Sequence, residues 1–268
     1  MVANRSSVLK AGRTMLFAID SAALPAPADL AAAARRIALS RRTIALTGAG
    51  MSTESGVPDF RSERGLFSVM PEEALSLHYF LEQTDDFYAF VRRHFLVAGV
   101  EPNDGHLVLA SWERRGLVDH IVTQNIDGLH QAAGSRHVLE LHGSSRTATC
   151  QRCSGRRRLG DVCRDDPPAY VCRCGGLLKP DIVLYDEPVT KFPEACRLVA
   201  DADLLLVLGT SLSVMPAAEL PALLPPGAGL IVVNLTPAPA DARPGALVLH
   251  GPIGPTLTRI DALLRARA

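Results

Sequence analysis

The chain has 268 residues, 47% of them hydrophobic, and its 28 Lys plus Arg balance its 28 Asp plus Glu. At roughly 150 residues per domain this allows one or two domains and a sizeable core. Zero net charge argues against a dedicated nucleic-acid binder, no apolar run reaches the ~18 residues of a membrane span, and six Cys are too sparse for a disulfide scaffold. The expectation is a soluble, near-neutral protein of a reducing compartment, with neither membrane nor specific nucleic acid as partner.

Residues 1–27 carry Arg5, Lys10 and Arg13 and no acid before Asp20. They read as a detached, disordered leader of a cytoplasmic protein, with a transit segment as the alternative; their apolar stretches are too short and broken for a secretory signal. Helical periodicity runs from Asp29 to Leu39, and 43–47 is an apolar run ending in Gly-Ala-Gly, the pattern of a buried parallel strand feeding a tight turn. Similar runs follow at 121–123, 138–141, 204–208, 230–233 and 247–249, with helical patterns between several of them, as at 106–115 and 192–201. Strands alternating with helices predict an α/β fold with a doubly wound parallel sheet, whose ligands sit at the carboxyl ends of the strands. Two stretches break this rhythm and are read as insertions forming a smaller second domain. One, 62–103, is helical and partly aromatic, and the other, 146–177, holds a cluster of Cys.

The chemistry-bearing residues gather at those strand ends. After the first strand come Gly48, Ala49, Gly50 and Ser52, then Asp59, Phe60 and Arg61. Glycines there let a phosphate approach the backbone at a helix start, but Thr53 stands where the dinucleotide fingerprint G-x-G-x-x-G needs its third Gly. After the second strand stand Gln124, Asn125, Ile126 and Asp127, a polar set that either faces one cavity or forms an Asx turn. The third strand ends in Leu141-His142-Gly143, where a His suits a general base at neutral pH. Gly209, Thr210 and Ser211 close the strand at 204–208 and suit phosphate or ribose contact, and Asn234 follows the strand at 230–233. Cys150-x-x-Cys153 and Cys172-x-Cys174 read as a zinc ribbon; four thiolates leave no open position, so the metal is structural. Cys163 is an alternative ligand, and Cys196 reads as a small core residue.

Together these motifs resemble the sirtuin family of NAD-dependent protein-lysine deacylases. The resemblance rests on GAGMSTESGVPDFR (48–61), PNDGH (102–106), TQNIDGLH (123–130), LHG (141–143), the two Cys pairs, LKPDIVLYDE (178–187), GTSLSV (209–214) and VNLTP (233–237), in the family's order. It implies a discontinuous Rossmann-like NAD-binding domain from 28–61, 104–145 and 178–268. The small domain would join the helical module 62–103 to the zinc module 146–177. It also implies NAD as a consumed co-substrate and one structural zinc, with nicotinamide, 2′-O-acyl-ADP-ribose and free lysine as products. His142 would be the base acting on a ribose hydroxyl, Asn125 would position ribose and a water, and Asp127 would bind the nicotinamide carboxamide. Gln124 would contact ribose, Phe60 would shield the reactive carbon and Arg61 would help close the loop. Ala49, Gly50, Ser211, Asn234 and Leu235 match cofactor-contact positions. Acylated-lysine protein substrates would bind as an added strand between Val183-Leu184-Tyr185 and Ser213-Val214-Met215.

Two departures bear on specificity. The family usually has Gly where this chain has Asp186, next to Glu187, which adds a charge disfavouring acidic peptides or acyl groups. The desuccinylase branch carries Tyr-x-x-Arg in the helical module, and here Tyr88 is followed by Val91 at the Arg position, with Arg92 rotated about 100° away. A neutral acyl group is therefore expected. The alternatives on the same fold are a mono-ADP-ribosyltransferase or an NAD hydrolase; a non-catalytic NAD or ADP-ribose sensor has no need of His142.

Overall fold

A computed structural model describes residues 24–62, 65–96, 99–164 and 167–266, so most of the expected leader lies outside the described residues. The first helix, α1 (Pro27–Leu39), starts on a proline, whose fixed φ and missing N–H suit a first turn, and buries Leu30, Ala33, Ala34 and Ile37 at helical spacing. Next comes β1 (Thr43–Thr47), buried at all five positions. The helical module contributes α2 (Leu77–Glu82) and α3 (Thr84–His94). The chain then runs through α4 (Asp104–Arg114), β2 (His120–Thr123), the single turn α5 (Leu129–Ala132) and β3 (Val138–Glu140). A second set of elements follows: β4 (Gly143–Cys150), β5 (Arg156–Arg158), α6 (Leu159–Val162) and β6 (Leu178–Ile182). The chain ends with α7 (Phe192–Ala200), β7 (Leu204–Leu208), β8 (Gly229–Asn234), β9 (Leu247–His250) and α8 (Ile253–Arg265).

Six strands form one sheet in the order β3-β2-β1-β7-β8-β9, and every neighbouring pair is parallel. The order reverses between β1 and β7, where a doubly wound sheet opens a crevice at its carboxyl edge. On one face α1, α4 and α8 bury Ile37, Leu109, Trp112, Leu257 and Ile260 against the strands; on the other, α7 and the turns at 217–223 bury Val199, Ala217 and Leu220. Both faces are covered, which is why β1 and β7 are continuously apolar rather than alternating. Asp261 of α8 joins the first layer by accepting from Trp112 Nε1 at 2.9 Å and from Arg265 Nε at 2.7 Å.

A separate antiparallel sheet, β5-β4-β6, carries the Cys cluster. It includes 178–182, which the sequence reading gives to the larger unit. The aromatic face of α2 and α3 (Phe80, Phe87, Tyr88) packs on Cys150, Leu159, Val162 and Leu178 in a third apolar core. No helix among the described residues is long and apolar enough to cross a membrane.

Candidate active site

A cleft of about 1550 Å³ opens at the carboxyl edge of the parallel sheet, reaching from the loops after β1 and β7 to the segment after β6. Gly48, Ala49, Gly50, Asp59, Phe60, Arg61, Gln124, Asn125, Ile126, His142, Val183, Leu184, Tyr185, Gly209, Thr210, Ser211, Val214, Asn234 and Leu235 all line it. Three residues singled out from the sequence do not. Ser52 is buried and Asp127 half-buried next to Asn125 of the lining, and Ser213 is exposed outside it with its hydroxyl 2.7 Å from that of Ser211.

The glycines after β1 serve a purpose the sequence does not show. Gly48 has φ −134°, and Gly50 is likewise outside the positive-φ region. What excludes a side chain is the neighbouring loop: a Cβ on Gly48 would lie 2.6 Å from Thr210 Cβ, and one on Gly50 would lie 2.9 Å from Gly209 Cα. Two strand-end loops therefore touch backbone to backbone, sealed by a hydrogen bond from Gly50 N to Gly209 O at 2.8 Å. Asn234 fixes the second loop from below, its Oδ1 accepting from Thr210 N at 3.0 Å and its Nδ2 donating to Thr210 O at 3.1 Å. Gln124 Nε2 donates to Thr210 Oγ1 at 2.9 Å, tying β2's end to the same loop.

Asn125 and Asp127, two residues apart, converge on one hydroxyl. Asn125 Nδ2 donates to Ser52 Oγ at 3.0 Å, and Ser52 Oγ donates to Asp127 Oδ2 at 2.7 Å. The other Asp127 oxygen accepts from Leu129 N at 2.9 Å, the start of α5. Behind this network His106 and His130 pack with ring centroids 4.8 Å apart. Burial pushes their pKa values down to about 4 and about 3.

His142 follows β3, the strand paired with β2, and so stands beside the Gln124–Asn125 segment. Its Nδ1 lies 3.0 Å from the Gln124 carbonyl oxygen. A carbonyl only accepts, so Nδ1 carries the hydrogen and Nε2 of the neutral ring keeps its lone pair. Burial lowers the His142 pKa below the ordinary range, and the Gln124 bond opposes that only in part. The following Gly143 has φ +78°, and a Cβ there would lie 2.1 Å from Asp181 O, so only glycine lets β4 leave the imidazole at this angle.

Arg61 forms an ion pair with Glu72 at 2.8 Å, and Phe60 packs on Phe67 at 5.5 Å between centroids. The cleft wall also contains residues to which the sequence assigned no role. Phe67, Leu75, Phe95 and Ile182 give it an apolar lobe, and Glu54 accepts from Gly254 N at 3.1 Å, binding the first loop to the start of α8.

The sulfur atoms of Cys150, Cys153, Cys172 and Cys174 all lie within 4.8 Å of one another, with Cys150–Cys174 at 3.5 Å and Cys153–Cys172 at 3.8 Å. Four ligands at the ~2.3 Å of a zinc–thiolate bond stand about 3.8 Å apart at tetrahedral angles, so the set fits zinc and is too open for disulfides. Cys163 lies apart from this group in the third core, its thiol pushed up to about 11 by burial. Cys196 is part of α7 and packs half-buried against the second apolar core.

The family model described as "Sir2 family" matches residues 48–216. Among curated proteins, "NAD-dependent protein deacetylase 1" of Geobacillus kaustophilus is 43% identical over 241 residues, covering 85% of this chain and 96% of that protein. "NAD-dependent protein deacetylase" of Bacillus subtilis is 43% identical over 228 residues, covering 80% and 92%. A solved structure of Sir2 with a p53 peptide and NAD+ superposes with a TM-score of 0.77 at 37% identity, covering 85% of this chain and 95% of that one.

Proposed function

The chain belongs to the Sir2 family and is an enzyme, an NAD-dependent protein deacylase; from that premise we propose the part each residue plays, and the placement of His142 carries the reading. NAD supplies an activated ribose carbon that takes up the acyl oxygen of an acyl-lysine as nicotinamide leaves. His142 Nε2 is the base for a ribose hydroxyl: the Gln124 carbonyl holds the proton on Nδ1, and burial keeps the ring neutral at pH 7. Asn125 orients ribose and a water, and Asp127 holds the nicotinamide carboxamide; both are aligned through Ser52 before anything binds.

Phe60 keeps water from the reacting carbon, and the Arg61–Glu72 pair draws its loop across the cleft. Ala49, Gly50, Thr210, Ser211, Asn234 and Leu235 receive the rest of the nucleotide at the switch point of the sheet. Zinc at the four thiolates is structural, since they leave it no open position and lie outside the cleft wall. Thiolates that must stay reduced fit a cytoplasmic location.

Acylated-lysine segments of proteins enter as an added strand along 183–185. On this segment Tyr185 N donates to Leu75 O at 2.9 Å and Leu77 N donates to Tyr185 O at 3.0 Å, while both backbone groups of Leu184 on the other edge are held by Glu187, which an added strand would replace. Backbone pairing of this kind gives affinity with little demand on sequence. The facing segment offers unpaired backbone: Ser213 and Met215 form no backbone hydrogen bond among the described residues.

Incubation with NAD and an acetyl-lysine peptide, with product masses recorded, tests the reading. Nicotinamide, O-acetyl-ADP-ribose and free lysine are expected in equal amounts. An ADP-ribosylated acceptor or free ADP-ribose in their place would overturn it. Loss of a positioned base costs about 10²- to 10⁴-fold, and His142→Ala is expected to lose deacetylation in that range.

A further inference from the structure

Asp186 has φ +73°, in the left-handed region that favours glycine. Besides Asp186, only Ser154 and Leu212 among the described non-glycine residues share a positive φ. It forms the exposed corner of a reversal pinned from behind. Glu187 N donates to Leu184 O at 3.1 Å, while the Glu187 carboxylate accepts from Leu184 N at 2.9 Å and pairs with Lys179 Nζ at 2.8 Å. Asp186 thus stands in the cleft wall immediately after the 183–185 edge.

The other charged side chains on this wall all have partners, an opposite charge for Glu187 and Arg61 and a backbone amide for Glu54 and Asp59. Glu187 is balanced by Lys179, and Arg61 and Glu72 neutralise each other. Glu54 accepts from the amide of Gly254, and Asp59 accepts from that of Ser62 at 2.9 Å. Asp186 forms no hydrogen bond or ion pair among the described residues, through side chain or backbone. An exposed carboxylate without a partner, set in the cleft wall by a left-handed turn that Asp tolerates, points to a use for that side chain.

We propose that Asp186 is a specificity determinant, favouring acyl-lysines flanked by Lys or Arg over those flanked by Asp or Glu. The inference rests on the deacylase reading and on a substrate strand lying along 183–185. Residues of an added strand advance about 3.3 Å each, so the neighbours on either side of the acyl-lysine pass within a Debye length, about 8 Å, of this carboxylate. Exposed pairs of this kind change an equilibrium by roughly twofold to fivefold.

Asp186→Asn removes the charge and keeps a residue that tolerates the left-handed conformation. The experiment compares kcat/KM for acetyl-lysine peptides differing only in Lys or Glu at the flanking positions, at low and raised salt, alongside peptide affinity without NAD by fluorescence anisotropy. The native protein is expected to prefer the Lys-flanked peptide about twofold to fivefold in both measurements. That ratio should fall to about one in Asp186→Asn and shrink as salt rises. The same ratio in both proteins, or none in the native one, overturns the inference while leaving the deacylase reading intact. Failure of every peptide to be deacetylated overturns the deacylase reading itself, and this inference with it.

Discussion

Ser52 donates its hydroxyl hydrogen to Asp127 across 2.7 Å, and the same oxygen accepts from Asn125 at 3.0 Å. One hydroxyl thus links Asn125 of the cleft wall to Asp127 next to it. A hydrogen bond to a charged group contributes about 1.5–3 kcal/mol. Ser52→Ala is therefore expected to raise KM for NAD by roughly tenfold to a hundredfold, with peptide affinity little changed. Steady-state kinetics with NAD and peptide varied separately check this. An unchanged KM for NAD would detach Asp127 from cofactor binding.

Acid sensitivity follows from the paired imidazoles behind that network. His106 and His130 titrate at about 4 and about 3 in the folded chain because burial penalises their charged forms. Once unfolded they take up protons near the ordinary ~6.5. Below that value the unfolded chain binds more protons than the folded one. Stability is therefore full above pH ~6.5 and is lost as pH falls from there toward about 4, with a slope of up to about 1.4 kcal/mol per pH unit for each histidine. Burial lowers His142 as well, so it acts in the same direction. Urea unfolding near pH 7.5 and near pH 5 checks this, with a lower midpoint expected at the acid value.

The thiolate set predicts one zinc per chain and four of the six cysteines shielded from thiol reagents until a chelator is added. Cys150 shares an apolar core with Phe80, Phe87 and Tyr88. Losing the metal should therefore loosen the helical module as well as the ribbon, while the parallel sheet keeps its circular-dichroism signal. Cys172→Ser is expected to reproduce the effect. Metal analysis and thiol titration measure both.

Acyl preference has a physical basis in α3. The Tyr88 hydroxyl donates to Leu178 O in the core, Val91 is buried, and Arg92 lies one position further along α3. None of the three lines the cleft, whose lobe of Phe67, Leu75 and Phe95 is apolar, and the cation beside it, Arg61 at 5.5 Å from the Phe67 centroid, is already paired with Glu72. Turnover of succinyl-lysine peptides is expected at least roughly a hundredfold below that of acetyl-lysine peptides, the scale of a buried charge left unpaired. Parallel assays of the two peptides decide it.

Much of this was legible in the sequence wherever the signal is local. The runs 43–47 and 204–208 became fully buried strands, and the polar residues following them line the cleft, because a strand's end and its loop are set by adjacent residues. The Cys spacing likewise brought four sulfurs together. What stayed hidden depends on segments far apart in the chain. Gly48 and Gly50 look like phosphate-loop glycines, but their missing side chains make room for Gly209 and Thr210. Ser213 continues a motif yet points outside the cleft wall, and Phe95 enters it only because α3 ends there. The edge-to-face contact of His106 with His130 at 4.8 Å joins α4 to α5, which no single-segment pattern reports.

The bond from Glu54 to the amide of Gly254 spans 200 positions of the chain. During synthesis the loop after β1 leaves the ribosome long before the helix that receives it. The nucleotide site therefore cannot be completed until α8 has emerged. Nascent chains stalled before Ile253 should bind NAD poorly even with every residue of the loop, β2 and β3 already in place.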